Sequence, residues 1–150
     1  MKPPKTLVIL AILITPSTVL GQLTKQEKSL INLTNKARAE YNLPPLQVSA
    51  DLMAQSRLHA SYMARTNRFN HSRTRKVSAS ENIAYNYQGT ERALEQWMTS
   101  RKGHRENILG PHKTIGVGIA ASGRRIYFVQ QFGGTVYRIV TYKPRGRRRR

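Results

Sequence analysis

The stretch TIGVGIAASGRRIYFVQQFG, Thr114 to Gly133, decides the fold. Ile115, Val117 and Ile119 recur at every second position, and RIYFVQQFG resumes the pattern after Ser122-Gly123. Alternation with period two is the mark of a strand, and a Ser-Gly step between two such runs reads as a tight turn. Gly133-Gly134 is a second turn signal, and TVYRIVTY (Thr135 to Tyr142) follows as a third alternating run, so the three together predict an antiparallel meander. Gly116-Val117-Gly118 lies inside a strand pattern with no helix after it, which excludes a phosphate-cradling loop.

Upstream of Pro111 the period changes. TKQE, Thr24 to Glu27, is a capping box, in which a threonine hydroxyl and a glutamate carboxylate satisfy each other's free backbone donors at a helix start. Leu30, Ile31, Leu33, Thr34, Ala37 and Tyr41 then follow at three- and four-residue steps until Pro44-Pro45 forbids helix. Ser49 starts a second helix, with Asp51 in its first turn and an apolar stripe of Leu52, Met53, Ser56, His59, Ala60 and Met63. The segment from Asn67 to Gly89 is basic and weakly periodic and reads as a loop. A third helix begins near Thr90 and buries Ala93, Leu94, Trp97 and Met98. Helices first and strands last define an α+β class in which helices pack on a sheet.

A chain of 150 residues supports one domain and one core. It carries 26 Lys and Arg against 7 Asp and Glu, a formal charge of +19. Charge of this size draws anionic partners, such as anionic envelope polymers, acidic lipid or nucleic acid, and says nothing about fold. Residues 1–21 read as a signal peptide: Lys2 and Lys5 precede the apolar run Leu7 to Ile14, and Val19 and Gly21 sit at −3 and −1 of a cut before Gln22. An uncleaved N-terminal anchor is the alternative. Cleavage would leave 24 cationic residues against 7 acidic ones, +17, on a secreted, extracellular or periplasmic product. Its later segments are too short and polar to span a bilayer. The absence of cysteine excludes thiol redox chemistry and thiolate metal sites.

Residues 22–134 form the expected domain, 135–143 an extra C-terminal strand and 144–150 a disordered basic tail. Arg145, Arg147, Arg148, Arg149 and Arg150 of that tail have nothing apolar to bury and are expected to contact polyanions.

Six motifs in fixed order carry a family resemblance: NKARAEYNLPPLQVSADLMAQSRLHASYMA, FNHS, SENIA, W..S..GHRENIL, IGVGIA and YFVQQFG. Together they resemble the CAP superfamily of cysteine-rich secretory, venom-antigen and pathogenesis-related proteins, in its cysteine-free bacterial SCP-like branch. The resemblance spans about Lys25 to Gly133. It implies an α/β/α sandwich with a central antiparallel sheet, and a cleft where the family keeps two histidines and two glutamates. Matched residue by residue, these are His71 in FNHS, Glu81 in SENIA and His104 in GHR. The fourth position departs, with Ser100 where longer relatives carry glutamate.

Two imidazoles and a carboxylate can hold a divalent metal such as zinc with water completing the shell. Without metal, the same trio is a hydrogen-bonded network, or a structural tie between helix and loop. Ser100, Asn82 and Arg105 are supporting candidates, Asn82 through the turn that would aim Glu81. The Gly103-His104 step is expected to end the third helix and turn His104 toward His71 and Glu81. His59 reads as a packed ring, His112 as a solvent-facing loop residue, and Tyr85 and Tyr87 as cleft-wall packing. No cysteine nucleophile exists, and only Ser100 offers a serine beside a histidine. The weight therefore falls on a secreted ligand-binding or effector module rather than an enzyme. The alternatives are a metal-assisted hydrolase of envelope or extracellular substrates and a polyanion-binding or membrane-active basic protein.

Overall fold

A computed structural model describes residues 22–73, 78 and 80–134. The predicted signal peptide, the strand Thr135 to Tyr142 and the arginine tail lie outside the described residues. The elements run α1 (Lys25–Glu40), β1 (Gln47–Val48), α2 (Ala50–Thr66), β2 (Ser80–Asn86), α3 (Thr90–Met98), α4 (His104–Leu109), β3 (Thr114–Ser122) and β4 (Arg125–Gly133). The sheet order is β1-β3-β4-β2. Strands β3, β4 and β2 are antiparallel, and the two-residue β1 adds a parallel edge, so the expected antiparallel sheet is mixed at one side.

Alternation along the strands sends side chains to two layers. Ala84, Phe128, Phe132, Ile115 and Val117 face α1, α3 and α4, packing around Leu30 and Trp97. Ile83, Tyr127 and Val129 face α2, against Ala60 and Met63. The result is the α/β/α sandwich that the resemblance implied. Gly116 and Gly118 explain why α2 lies so close. A Cβ on Gly118 would fall 2.0 Å from the Ser56 carbonyl oxygen, and one on Gly116 would fall 2.1 Å from the Leu52 carbonyl carbon. The glycines of IGVGIA are thus a bed for a helix backbone.

The capping box forms as read, with Thr24 Oγ1 accepting from Glu27 N–H and Glu27 Oε2 accepting from Thr24 N–H. Every residue of the predicted α2 stripe is buried. On α1 the stripe differs at its end, since Tyr41 is 45% exposed and Arg38 is buried. Arg38 donates to the carbonyls of Pro44, Ile108 and Gly110, closing the C-terminal end of α4 with a cation, where the helix dipole favours one.

Three readings are corrected. The segment Asn67 to Gly89 holds a strand, β2, whose polar residues at 81, 82 and 86 masked its alternation. Gly103, at φ +87°, does not end the third helix; it precedes a new helix starting at His104, α3 having stopped at Met98. His112 is buried: its ring stacks on Phe132 at 5.3 Å and shares a 3.2 Å hydrogen bond with Ser80 Oγ.

Candidate functional site

Among the described residues strand β2 is one edge of the sheet, and its first residues hold the polar cluster. Glu81 pairs in register with Gln131, and Asn82 with Gln130. Successive residues point to opposite faces, so the Glu81-Gln131 pair belongs to the α2 layer and Asn82-Gln130 to the other.

On the α2 side the Glu81 carboxylate is buried and meets four donors. Oε1 accepts from His71 Nδ1 at 2.8 Å and from the Ser72 N–H at 2.9 Å; Oε2 accepts from Ser72 Oγ at 2.6 Å and Gln131 Nε2 at 2.8 Å. Burial raises the carboxyl pKa, but the bonds from Ser72, Gln131 and His71 prevail and hold it below the ordinary value. Glu81 therefore stays ionised, and its lone pairs are taken. Because a carboxylate only accepts, His71 carries a proton on Nδ1 in this bond, and its Nε2 has no hydrogen-bond partner among the described residues, on a side chain that is half exposed.

On the opposite side Asn82 sits mid-strand, not in a turn as expected. Its Nδ2 donates to the His104 carbonyl at 2.9 Å, and its Oδ1 accepts from Asn107 Nδ2 at 2.8 Å. Asn107 also donates to the Glu81 carbonyl. These bonds moor the start of α4 to β2. The His104 ring is held separately, with Nδ1 2.9 Å from Ser100 Oγ, while Ser100 Oγ also accepts the Lys102 N–H. Burial lowers the His104 pKa, and repulsion from the His71 ring when that ring is protonated lowers it further.

The structure thus joins His71 to Glu81 directly, whereas His71 and His104 line two separate pockets. The His104 ring bonds to Ser100 rather than to either partner. Arg105 stands apart, donating to Tyr41 Oη and stacking on that ring at 5.3 Å. His59 is a packed ring, bonded to the Asn70 carbonyl and stacked on Tyr62. Among the described residues, no group of three His, Asp or Glu side chains is arranged to hold a metal ion. Ser72, Gln131 and Asn107 complete the cluster without having been singled out. The signal for Gln131 was a pair of amides inside an otherwise apolar strand, YFVQQFG.

Residues 31–132 match the model of the CAP, cysteine-rich secretory protein, family. The chain belongs to that family. It is 33% identical over 135 residues to the uncharacterized protein YkwD of Bacillus subtilis (strain 168), and 32% identical over 124 residues to the membrane protein YlbC of the same strain. The matches take in 80% and 73% of this chain but only 51% and 34% of those proteins, so it spans about half the length of YkwD and a third of YlbC. Among solved structures, it resembles an extracellular SCP-domain protein from Bacillus anthracis (25% identity, TM-score 0.61, 75% of this chain and 44% of that one). The fold also matches an outer surface protein from Borrelia burgdorferi (18% identity, TM-score 0.65, 77% of this chain and 97% of that one).

Proposed function

We propose that this chain is an exported CAP-domain binding or effector module in which His71 and His104 together hold a divalent cation and the ligand it carries. The observation that carries this reading is the shared mode of fixing the rings. His71 is held through Nδ1 by a saturated carboxylate, which fixes its proton there, and His104 is held through Nδ1 by Ser100 Oγ; with Nδ1–H the donor in that second bond as well, each ring keeps an Nε2 lone pair for a cation. A carboxylate bonded behind a histidine is the usual outer-shell support of a metal-binding imidazole. Glu81 therefore orients a ligand and is not one itself. The lowered pKa of His104 keeps that ring neutral and able to coordinate near neutral pH. Zinc suits two imidazoles with water or a ligand atom completing four-coordination.

The same geometry disfavours the hydrolase alternative. A general base needs an accessible lone pair, and Glu81 has given its own to four donors within a buried site. Export rests on the Lys-flanked apolar run before Gln22 and on the likeness to the extracellular Bacillus anthracis protein. Metal analysis of the purified chain and of the His71→Ala variant tests the site, the reading requiring zinc in the first and its loss in the second. Mass spectrometry of secreted protein tests export, with an N-terminus at Gln22 expected. An intact Met1 to Arg150 chain confined to the cytoplasm would overturn it.

A further inference from the structure

A second feature lies along the outer edge of β2. The hairpin β3-β4 closes at Ser122 and Arg125, so alternation assigns Ser80, Asn82, Ala84 and Asn86 to the ladder with β4 and turns the backbone groups of Glu81, Ile83 and Tyr85 outward. Each outward carbonyl is covered by a side chain. Asn107 donates to Glu81 O, Trp97 Nε1 to Ile83 O at 3.0 Å, and Gln96 to Tyr85 O. An added peptide strand needs both donors and acceptors from an edge, and this edge has had its acceptors blocked. Among the described residues, no acceptor meets its outward N–H groups.

Beside that edge runs a groove of about 620 Å³. Tyr85 and Phe69 line one end, and Arg101, Lys102 and His104 line the other. Arg101 and Lys102 are exposed, and none of the lining side chains is acidic. Glu81 to Tyr85 spans roughly 14 Å at strand rise, long enough for a short oligomer. Phe69 and Tyr85 are large exposed rings of the lining, at 47% and 39% exposure, and Tyr87, outside the lining, is 57% exposed. Phe69 meets Tyr85 edge to face at 5.0 Å and 84°, and the Arg125 guanidinium lies 4.9 Å over Tyr85.

We propose that this groove binds an acidic polysaccharide, one whose repeating sugars carry carboxylate or phosphate. The anionic groups meet Arg101, Lys102 and the outward N–H groups, which together form a surface of donors and cations. The C–H faces and hydroxyls of the sugars meet the aromatic end. A perpendicular Phe69-Tyr85 pair with Arg125 over one ring leaves no parallel slot for a flat base, which separates this surface from a platform for single-stranded nucleic acid. The groove belongs to the folded body and not to the arginine tail; it shares His104 with the proposed cation site, so its binding is measured without metal.

The test uses the full mature chain in EDTA, so that its outcome is separate from that of the zinc reading. Affinity is measured for polygalacturonate, its methyl ester and a single-stranded DNA oligonucleotide. The double variant R101E/K102E is compared with K25E/K28E, which makes the same charge change on exposed positions of α1. The groove variant is expected to bind polygalacturonate at least tenfold more weakly, and the α1 variant less than threefold. Tyr85→Ala is expected to lose about fivefold, and the methyl ester to bind tenfold more weakly than the acid. Circular dichroism on each variant confirms folding. Equal losses in the two charge variants, an ester that binds as well as the acid, or DNA that displaces polygalacturonate at lower concentration would each overturn the proposal.

Discussion

Replacing Glu81 by glutamine keeps the shape of the side chain and removes its charge. Of the four hydrogen bonds to the carboxylate, those at Oε1, from His71 and Ser72 N–H, survive if the amide oxygen takes that place. The amide nitrogen then faces Ser72 Oγ and Gln131 Nε2, where Oε2 accepted at 2.6 and 2.8 Å. Ser72 can rotate its hydroxyl to accept. Gln131 cannot reverse cheaply, because its Oε1 already receives Ser56 Oγ. Bonds to a charged group contribute about 1.5–3 kcal/mol each, and a buried donor left without a partner costs a further 1–3 kcal/mol. Relief from desolvating a carboxylate offsets part of this, so a loss of about 3 kcal/mol is expected, or roughly 10 °C in Tm. Urea unfolding of the mature chain, read as a fall in midpoint at constant slope, measures it. Glu95→Gln, in an exposed pair with Arg92, should change stability by less than about 0.5 kcal/mol. A loss under about 1 kcal/mol for Glu81→Gln would refute the claim that four donors fix this carboxylate.

Gly118→Ala should cost about 3 kcal/mol or prevent folding, because the new methyl would overlap the Ser56 backbone of α2; a Tm near the parent value would contradict that packing. Arg38→Met should destabilise by about 3 kcal/mol in urea unfolding, since three carbonyls lose a charged donor that no apolar side chain replaces. Stability should fall as pH drops below about 6.5, where the unfolded chain binds protons that buried His112 and half-buried His104, whose folded pKa values are lowered, resist. A further fall should follow below about 4.5 as Glu81, held below its ordinary pKa, is protonated. Midpoints measured from pH 7.5 to 3.5 check both falls, and His112→Gln should lessen the first.

The α2 stripe, the capping box and the β3-β4 hairpin were legible because each follows one local rule that tertiary contacts reinforce. Strand β2 was not, since Glu81, Asn82 and Asn86 sit at positions where periodicity alone expects apolar residues. Their polarity makes sense only once Gln130, Gln131, Ser72 and Asn107 are brought beside them across the fold. His112 misled for the same reason, since a basic side chain after a proline reads as exposed, and Arg38 was not singled out because nothing local marks a basic residue late in a helix as buried. Here Phe132 and Ser80 bury the first, and carbonyls at the end of α4 bury the second. The position of His104 came from a motif, while its partner and the helix it opens came from the fold.

Long-range proton–nitrogen NMR on 15N-histidine-labelled mature protein, before and after one equivalent of zinc, tests the central claim most directly, because it reads each ring nitrogen separately. His71 and His104 should carry their protons on Nδ1 in the free protein. On addition of zinc their Nε2 signals should shift together, with His59 and His112 unmoved. Zinc-induced shifts confined to His59 or His112, or an Nε2–H tautomer at His71, would contradict it.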